Sequence, residues 1–156
     1  MSRWMNKIVI FDLDGTLADI SVRRNLATKD DGKLDWDIFF NPDNISLDVP
    51  NQKVVDMARM INMTDKYQIF ILSGRSKSTY RTTQQWLIQN DIPFDDLIMR
   101  PTDKHHHYMK DSDLKQMWLD SIGKDSVAMV FDDRQQVVDM WRDNGLTTFQ
   151  VAKGDF

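Results

Sequence analysis

Short apolar runs alternate along this chain with longer amphipathic stretches. Lys7-Ile8-Val9-Ile10-Phe11, Tyr67-Gln68-Ile69-Phe70-Ile71-Leu72, Leu97-Ile98-Met99, Val127-Ala128-Met129-Val130-Phe131 and Thr147 to Ala152 have strand length and are rich in β-branched residues. Between them the apolar spacing turns helical. Val54, Ala58 and Ile61 mark a helix over 51–62, and Trp86 and Leu87 the inner face of one over 76–90. A helix with Asp111 as N-cap carries Leu114, Trp118 and Ile122 and stops at Gly123. A last helix shows Val137, Val138 and Trp141 inward and ends at Asn144-Gly145. Apolar strands alternating with helices require a parallel sheet with right-handed crossovers. The expected fold is therefore α/β, a sheet of about five strands between two helical layers. One stretch breaks the rhythm: 18–50 is polar and irregular, with Arg23, Arg24, Trp36, Phe39 and Phe40. It is too long for an ordinary βα connection, so 19–50 is expected to form a flap or small cap, with the aromatic residues as anchors.

Composition narrows the class. A chain of 156 residues, 41% hydrophobic and 28% charged, fits a single ordinary globular domain, 1–156. It contains no cysteine, which excludes a disulfide framework, a thiolate nucleophile and a cysteine-based metal site. Met1 to Asn6 lacks the apolar core of a signal peptide and no run reaches membrane-spanning length, so a cytoplasmic chain with no membrane partner is expected. The net charge of −4 argues against a surface that attracts nucleic acid everywhere. Two local basic runs stand out, however: Arg75, Lys77 and Arg81, and Arg100, Lys104, His105, His106, His107 and Lys110.

The chemistry gathers where strands end. The first run stops on Asp12-Leu13-Asp14-Gly15-Thr16, the second on Ser73-Gly74-Arg75, and the fourth on Asp132-Asp133. Like charges side by side do not stabilise a buried strand, whereas the carboxyl ends of parallel strands open into the crevice where such sheets bind ligands. Gly15 allows the sharp turn and Thr16 adds a hydroxyl. The arrangement suits a metal-assisted nucleophile with a general acid two residues on.

Asp12-Leu13-Asp14-Gly15-Thr16, Ser73, a lysine and Asp132-Asp133 resemble, in order, the four motifs of the haloacid dehalogenase superfamily, whose fold is a three-layer Rossmann-like sheet. The resemblance implies that Asp12 attacks phosphorus and that Asp14 is the acid/base, a role suited to a raised pKa. Magnesium is the fitting cofactor, held by Asp12, Asp132, the backbone carbonyl of Asp14, and Asp133. Lys110 and Lys115 both qualify as the lysine; Lys115 is favoured because Asp111 stands four residues before it on the same helical face.

The Ser73-Gly74-Arg75 motif, Asp111 with Lys115, and Asp132-Asp133-Arg134 through Trp141-Arg142 are similar to the 3′-phosphatase domain of phage-type polynucleotide kinases, as is the tail Gly154-Asp155-Phe156. That likeness implies substrate-end roles for Thr16, Arg23, Gly74 and Arg75, and support of Lys115 by Asp111. It also implies a 3′-phosphorylated DNA or RNA end as substrate and a separate kinase or ligase as partner, since no GxxxxGK[ST] loop is present. A nucleotidase or small phosphate-ester phosphatase keeps the same chemistry. A receiver-like phospho-acceptor module would carry its acids in a different order and lack Asp14.

Overall fold

The computed structural model describes residues 7–154, so Met1–Asn6 and the Asp155-Phe156 part of the tail motif lie outside the described residues. The chain opens with β1 (Ile8–Phe11) and a two-stranded antiparallel ribbon, β2 (Ala18–Asp19) with β3 (Val49–Pro50). The ribbon brackets three short helices, α1 (Ser21–Ala27), α2 (Trp36–Phe39) and α3 (Pro42–Ile45). Then follow α4 (Gln52–Met63), β4 (Gln68–Ser76), α5 (Tyr80–Gln89), β5 (Asp96–Arg100), α6 (Lys104–His107) and α7 (Asp111–Ile122). The chain continues through β6 (Val127–Arg134), α8 (Gln135–Asp143) and β7 (Thr148–Gly154). The main sheet has the order β5-β4-β1-β6-β7, with every pairing parallel.

Side-chain alternation along β1 builds the three layers. Val9 and Phe11 join Ile69, Ile71, Val55 and Ala58 of α4, and Trp86 and Leu87 of α5. Ile8 and Ile10 face the other way, into Leu72, Leu114 and Trp118 of α7, and Val137 and Trp141 of α8. Each such side chain, fully buried, stabilises the fold by about 1.5–3 kcal/mol. β1 is central and apolar on both faces, so its end is the natural place for the site. No helix among the described residues is long and apolar enough to cross a membrane.

Three sequence expectations change. The stretch 18–50 is organised, because its helices are too short for an apolar period to register: Asp35 and Asn41 cap two of them through their side chains. Within it Phe39 is buried, whereas Trp36 is 60% exposed and stacks on Phe40 rather than anchoring in the core. Second, β4 and β6 run on through Ser73-Gly74-Arg75 and Asp132-Asp133, with irregular register at those ends. Such irregularities re-aim side chains at the margins of sheets. Third, Lys110 is the N-cap of α7 and Asp111 its first residue; the Asp111 carboxylate makes no capping bond because two arginines hold it.

This packing makes a direct prediction. Leu87→Ala, at a fully buried position between α5 and the sheet, should cost about 2–5 kcal/mol, read as a lower urea midpoint. Met63→Ala, at an 80% exposed position, should stay within about 0.5 kcal/mol. Equal shifts would contradict the assigned core.

Candidate active site

Asp12 follows β1 and is held at the sheet edge by its N–H, which donates to the carbonyl of Phe131 at 2.9 Å. Lys115, on the first full turn of α7, reaches back between the layers and donates to Asp12 Oδ1 at 2.6 Å and to Asp132 Oδ2 at 3.2 Å. Lys110 is exposed; the lysine at the site is Lys115. Thr16 Oγ1 stands 3.1 Å from Asp12 Oδ2 and 3.2 Å from Asp133 Oδ1, so one hydroxyl proton serves two carboxylates. Asp132 is fixed by the N–H groups of Asp133 and Arg134 and by Trp141 Nε1 at 3.1 Å. Gly15 has φ +82°, and a Cβ there would fall 2.2 Å from Asp133 Oδ2. The turn after Asp12 therefore needs glycine both for its backbone and for room.

Asp12, Asp132 and Asp133 are buried with oxygens within 4.8 Å of one another. Burial and then Asp132 push the Asp12 carboxyl well above its ordinary range, against the pull of Lys115. Burial raises Asp133 as well. Lys115 stays charged: burial opposes the ammonium, but Asp12 and Asp132 more than compensate and raise its pKa. Three carboxylates against one ammonium leave an excess of two negative charges, which a divalent cation with a preference for oxygen ligands would cancel. The donor set therefore fits magnesium. A cavity of about 390 Å³ opens beside Gly15 and Asp133, between the ribbon (Ala18, Pro50) and the end of β7 (Lys153).

Asp14 is arranged differently. Its Oδ1 accepts from Arg23 Nη2 at 2.9 Å and from Arg75 Nε and Nη2 at 2.9 and 2.6 Å. No hydrogen bond from a described residue falls on Oδ2, and the side chain keeps 23% exposure. Burial would push this carboxyl up, but Arg75 and then Arg23 override it and hold it below the usual range. The raised pKa expected from its acid role is absent here, for that reason. Arg23 and Arg75 do not stand free over the crevice. Both are fully buried and share a second acid, Asp48, through bonds of 2.9–3.1 Å. Arg23 also lies 4.3 Å over the ring of Phe39, and Arg75 donates to Thr83 Oγ1. Asp48, at the close of the cap, was not singled out by sequence. Charge balance is the signal that would have found it, because two buried arginines need more than one carboxylate.

Ser73 is buried beside Arg75, whose N–H donates to Ser73 Oγ at 3.1 Å. Behind it, a Cβ on Gly74 would lie 2.6 Å from Asp111 Oδ1, so this close approach also requires glycine. Asp111 is pinned between Arg100 (2.6 Å) and Arg134 (2.9 Å), and its charge adds to those that keep Lys115 protonated. The structure thus brings together Asp12, Thr16, Lys115, Asp132 and Asp133 in one cluster. Asp14, Arg23 and Arg75 form a second, and Gly74 and Asp111 a third beside it.

The fold and this site define a class. A solved haloacid dehalogenase-like hydrolase family protein from Streptococcus pneumoniae shares the fold at TM-score 0.64 over 96% of this chain and 85% of its own, with 16% identity. More narrowly, the family described as the polynucleotide kinase PNKP phosphatase domain matches residues 6–156. The chain belongs to that family, and is a phosphatase of the haloacid dehalogenase type. It is 33% identical over 151 residues to a candidate bifunctional polynucleotide kinase/RNA ligase of Autographa californica nuclear polyhedrosis virus, covering 94% of this chain and 20% of that protein. A chain in the solved Pnkp1/Rnl/Hen1 complex is 35% identical, with TM-score 0.75 over 97% of this chain and 48% of its own. The chain therefore spans less than half the length of either of these relatives.

Removing one partner from a buried charge network is costly. Asp48→Ala leaves two buried guanidinia on one carboxylate and should lower stability by about 3–5 kcal/mol in chemical denaturation. A loss below about 1 kcal/mol would show that Asp48 is not part of the network in solution.

Proposed function

We propose that this phosphatase is magnesium-dependent, works through a phosphorylated Asp12 and removes 3′-phosphate from polynucleotide ends. The observation that carries the reading is the pairing of two unlike carboxylates two residues apart. Asp12 lies among cation-seeking oxygens with Lys115 at 2.6 Å, and Asp14 is gripped through one oxygen only. Asp12, Asp132 and Asp133, with the carbonyl of Asp14, would hold the magnesium ion. When bound, that ion would cancel the excess charge and allow a phosphate dianion to approach.

In the first half-reaction an Asp12 oxygen attacks phosphorus as the ester P–O bond breaks. The leaving 3′-oxygen takes a proton from Asp14 Oδ2 and departs as the alcohol. Lys115 and the Ser73 hydroxyl meet the charge on the transferring phosphoryl oxygens. In the second, Asp14 accepts a proton from water, which attacks the aspartyl phosphate, releasing inorganic phosphate and free Asp12. Arg23 and Arg75 favour the carboxylate form that the second half needs. The negative charge of the arriving substrate favours the protonated form that the first half needs.

The polynucleotide end as substrate is supported by family membership and by the names of the relatives, a kinase/ligase and an RNA repair complex. The complex in which the second relative was solved also supports partner proteins for this chain. A free nucleotide is the second reading, favoured by the 390 Å³ cavity, which lies within the usual range for a small-molecule pocket.

Phosphate release should be compared for a 3′-phosphorylated oligonucleotide, its 5′-phosphorylated counterpart and mononucleotides. Turnover should require magnesium and favour the 3′-phosphorylated oligonucleotide; a preference for mononucleotides would replace the first reading with the second. Asp14→Asn should slow sugar-phosphate hydrolysis by about 10²–10⁴-fold and an activated aryl phosphate, whose leaving group needs little protonation, much less. Equal losses would remove Asp14 from the acid role.

A further inference from the structure

The basic run after β5 has no part in the chemistry above, yet the structure ties it to the rim of the site. Arg100, the last residue of β5, donates through Nε to the Gly74 carbonyl at 2.9 Å and through Nη2 to Asp111 Oδ1 at 2.6 Å. Its Nη1 donates to the carbonyls of His106 and Met109 at 2.6 and 2.7 Å. One guanidinium therefore ties His106 and Met109, within the segment 104–110, to the Gly74–Asp111 contact. The one acid between Arg100 and Lys110, Asp103, is spent locally: it accepts from the His106 N–H and lies 2.8 Å from His106 Nδ1. Lys104 and Lys110 are exposed, with no ion pair to any described residue. Tyr108 is 84% exposed, and the ring of His107 stands edge-on to it at 4.6 Å.

An aromatic ring left this open does nothing for the core. Beside two unmatched lysines in a chain of net charge −4, it matches the pairing that holds single strands: bases stack on aromatic faces while cations take the phosphates. We propose that residues 104–110 form a platform for the single-stranded nucleotides that precede the terminal phosphate. Tyr108, set edge-on by His107, stacks a base, and Lys104 and Lys110 contact backbone phosphates. This rests on the polynucleotide reading above and adds to it the surface that would make longer substrates better ones.

The test is binding of a fluorescein-labelled dodecathymidylate bearing a 3′-hydroxyl, read by anisotropy, which needs no turnover. Tyr108→Ala should weaken binding by about five- to a hundredfold with an unchanged melting temperature, and Tyr108→Trp should restore it. Lys104→Ala should lower the slope of log K against log salt by about one. Tyr108→Ala binding within twofold of the wild type overturns the platform. Failure of the wild type to release 3′-phosphate, with the Tyr108→Ala binding loss intact, would strike the 3′-end reading and still support the platform as a nucleic-acid surface.

Discussion

Carboxylates that leave water must be matched by cations, and the carboxyl edge of this sheet is arranged around that requirement. Asp12, Asp132 and Asp133 are crowded under one lysine, short of positive charge by an amount that suits a divalent ion. Asp14, two residues from Asp12, meets the opposite situation, with two guanidinia on a single oxygen. Neighbouring acids of one tight turn thus acquire different electrostatic surroundings, which is what a nucleophile and an acid/base need. The turn that carries them on depends on Gly15, where a side chain would collide with Asp133.

The second network also binds the cap to the core. Arg23 and Asp48 come from the two ends of the insert, Asp14 from the turn after β1 and Arg75 from β4. Trp86 Nε1 of α5 adds a bond to the Asp48 carbonyl at 2.8 Å, and Phe39 lies beneath Arg23. The contacts that seat the cap on the core are therefore the same ones that hold the Asp14 carboxylate charged. A loosened cap would release an arginine and let the Asp14 carboxyl rise.

The parallel sheet was legible because its strands are apolar on both faces, and the cluster of carboxylates because they end those strands. Lys115 was reachable through its helical spacing from Asp111. What escaped the sequence had no period. The cap helices, of seven, four and four residues, are too short to show one. Asp48 sits two residues before Pro50 with nothing local to mark it, and its importance comes from Arg23 and Arg75, 25 and 27 residues away. Arg23 and Arg75 read correctly as residues near Asp14, but spacing alone could not tell a guanidinium facing solvent from one buried against two acids. Asp111 read as a helix cap, because the competing arginines lie on other elements.

The central claim is that Asp12 carries the phosphoryl group between the two half-reactions. Acid quenching of the enzyme during turnover of a substrate labelled in its terminal phosphoryl group tests this most directly. Label should stay covalently on the peptide containing Asp12 and be absent from Asp12→Asn. Turnover with no covalent label, or label on another residue, would contradict the account.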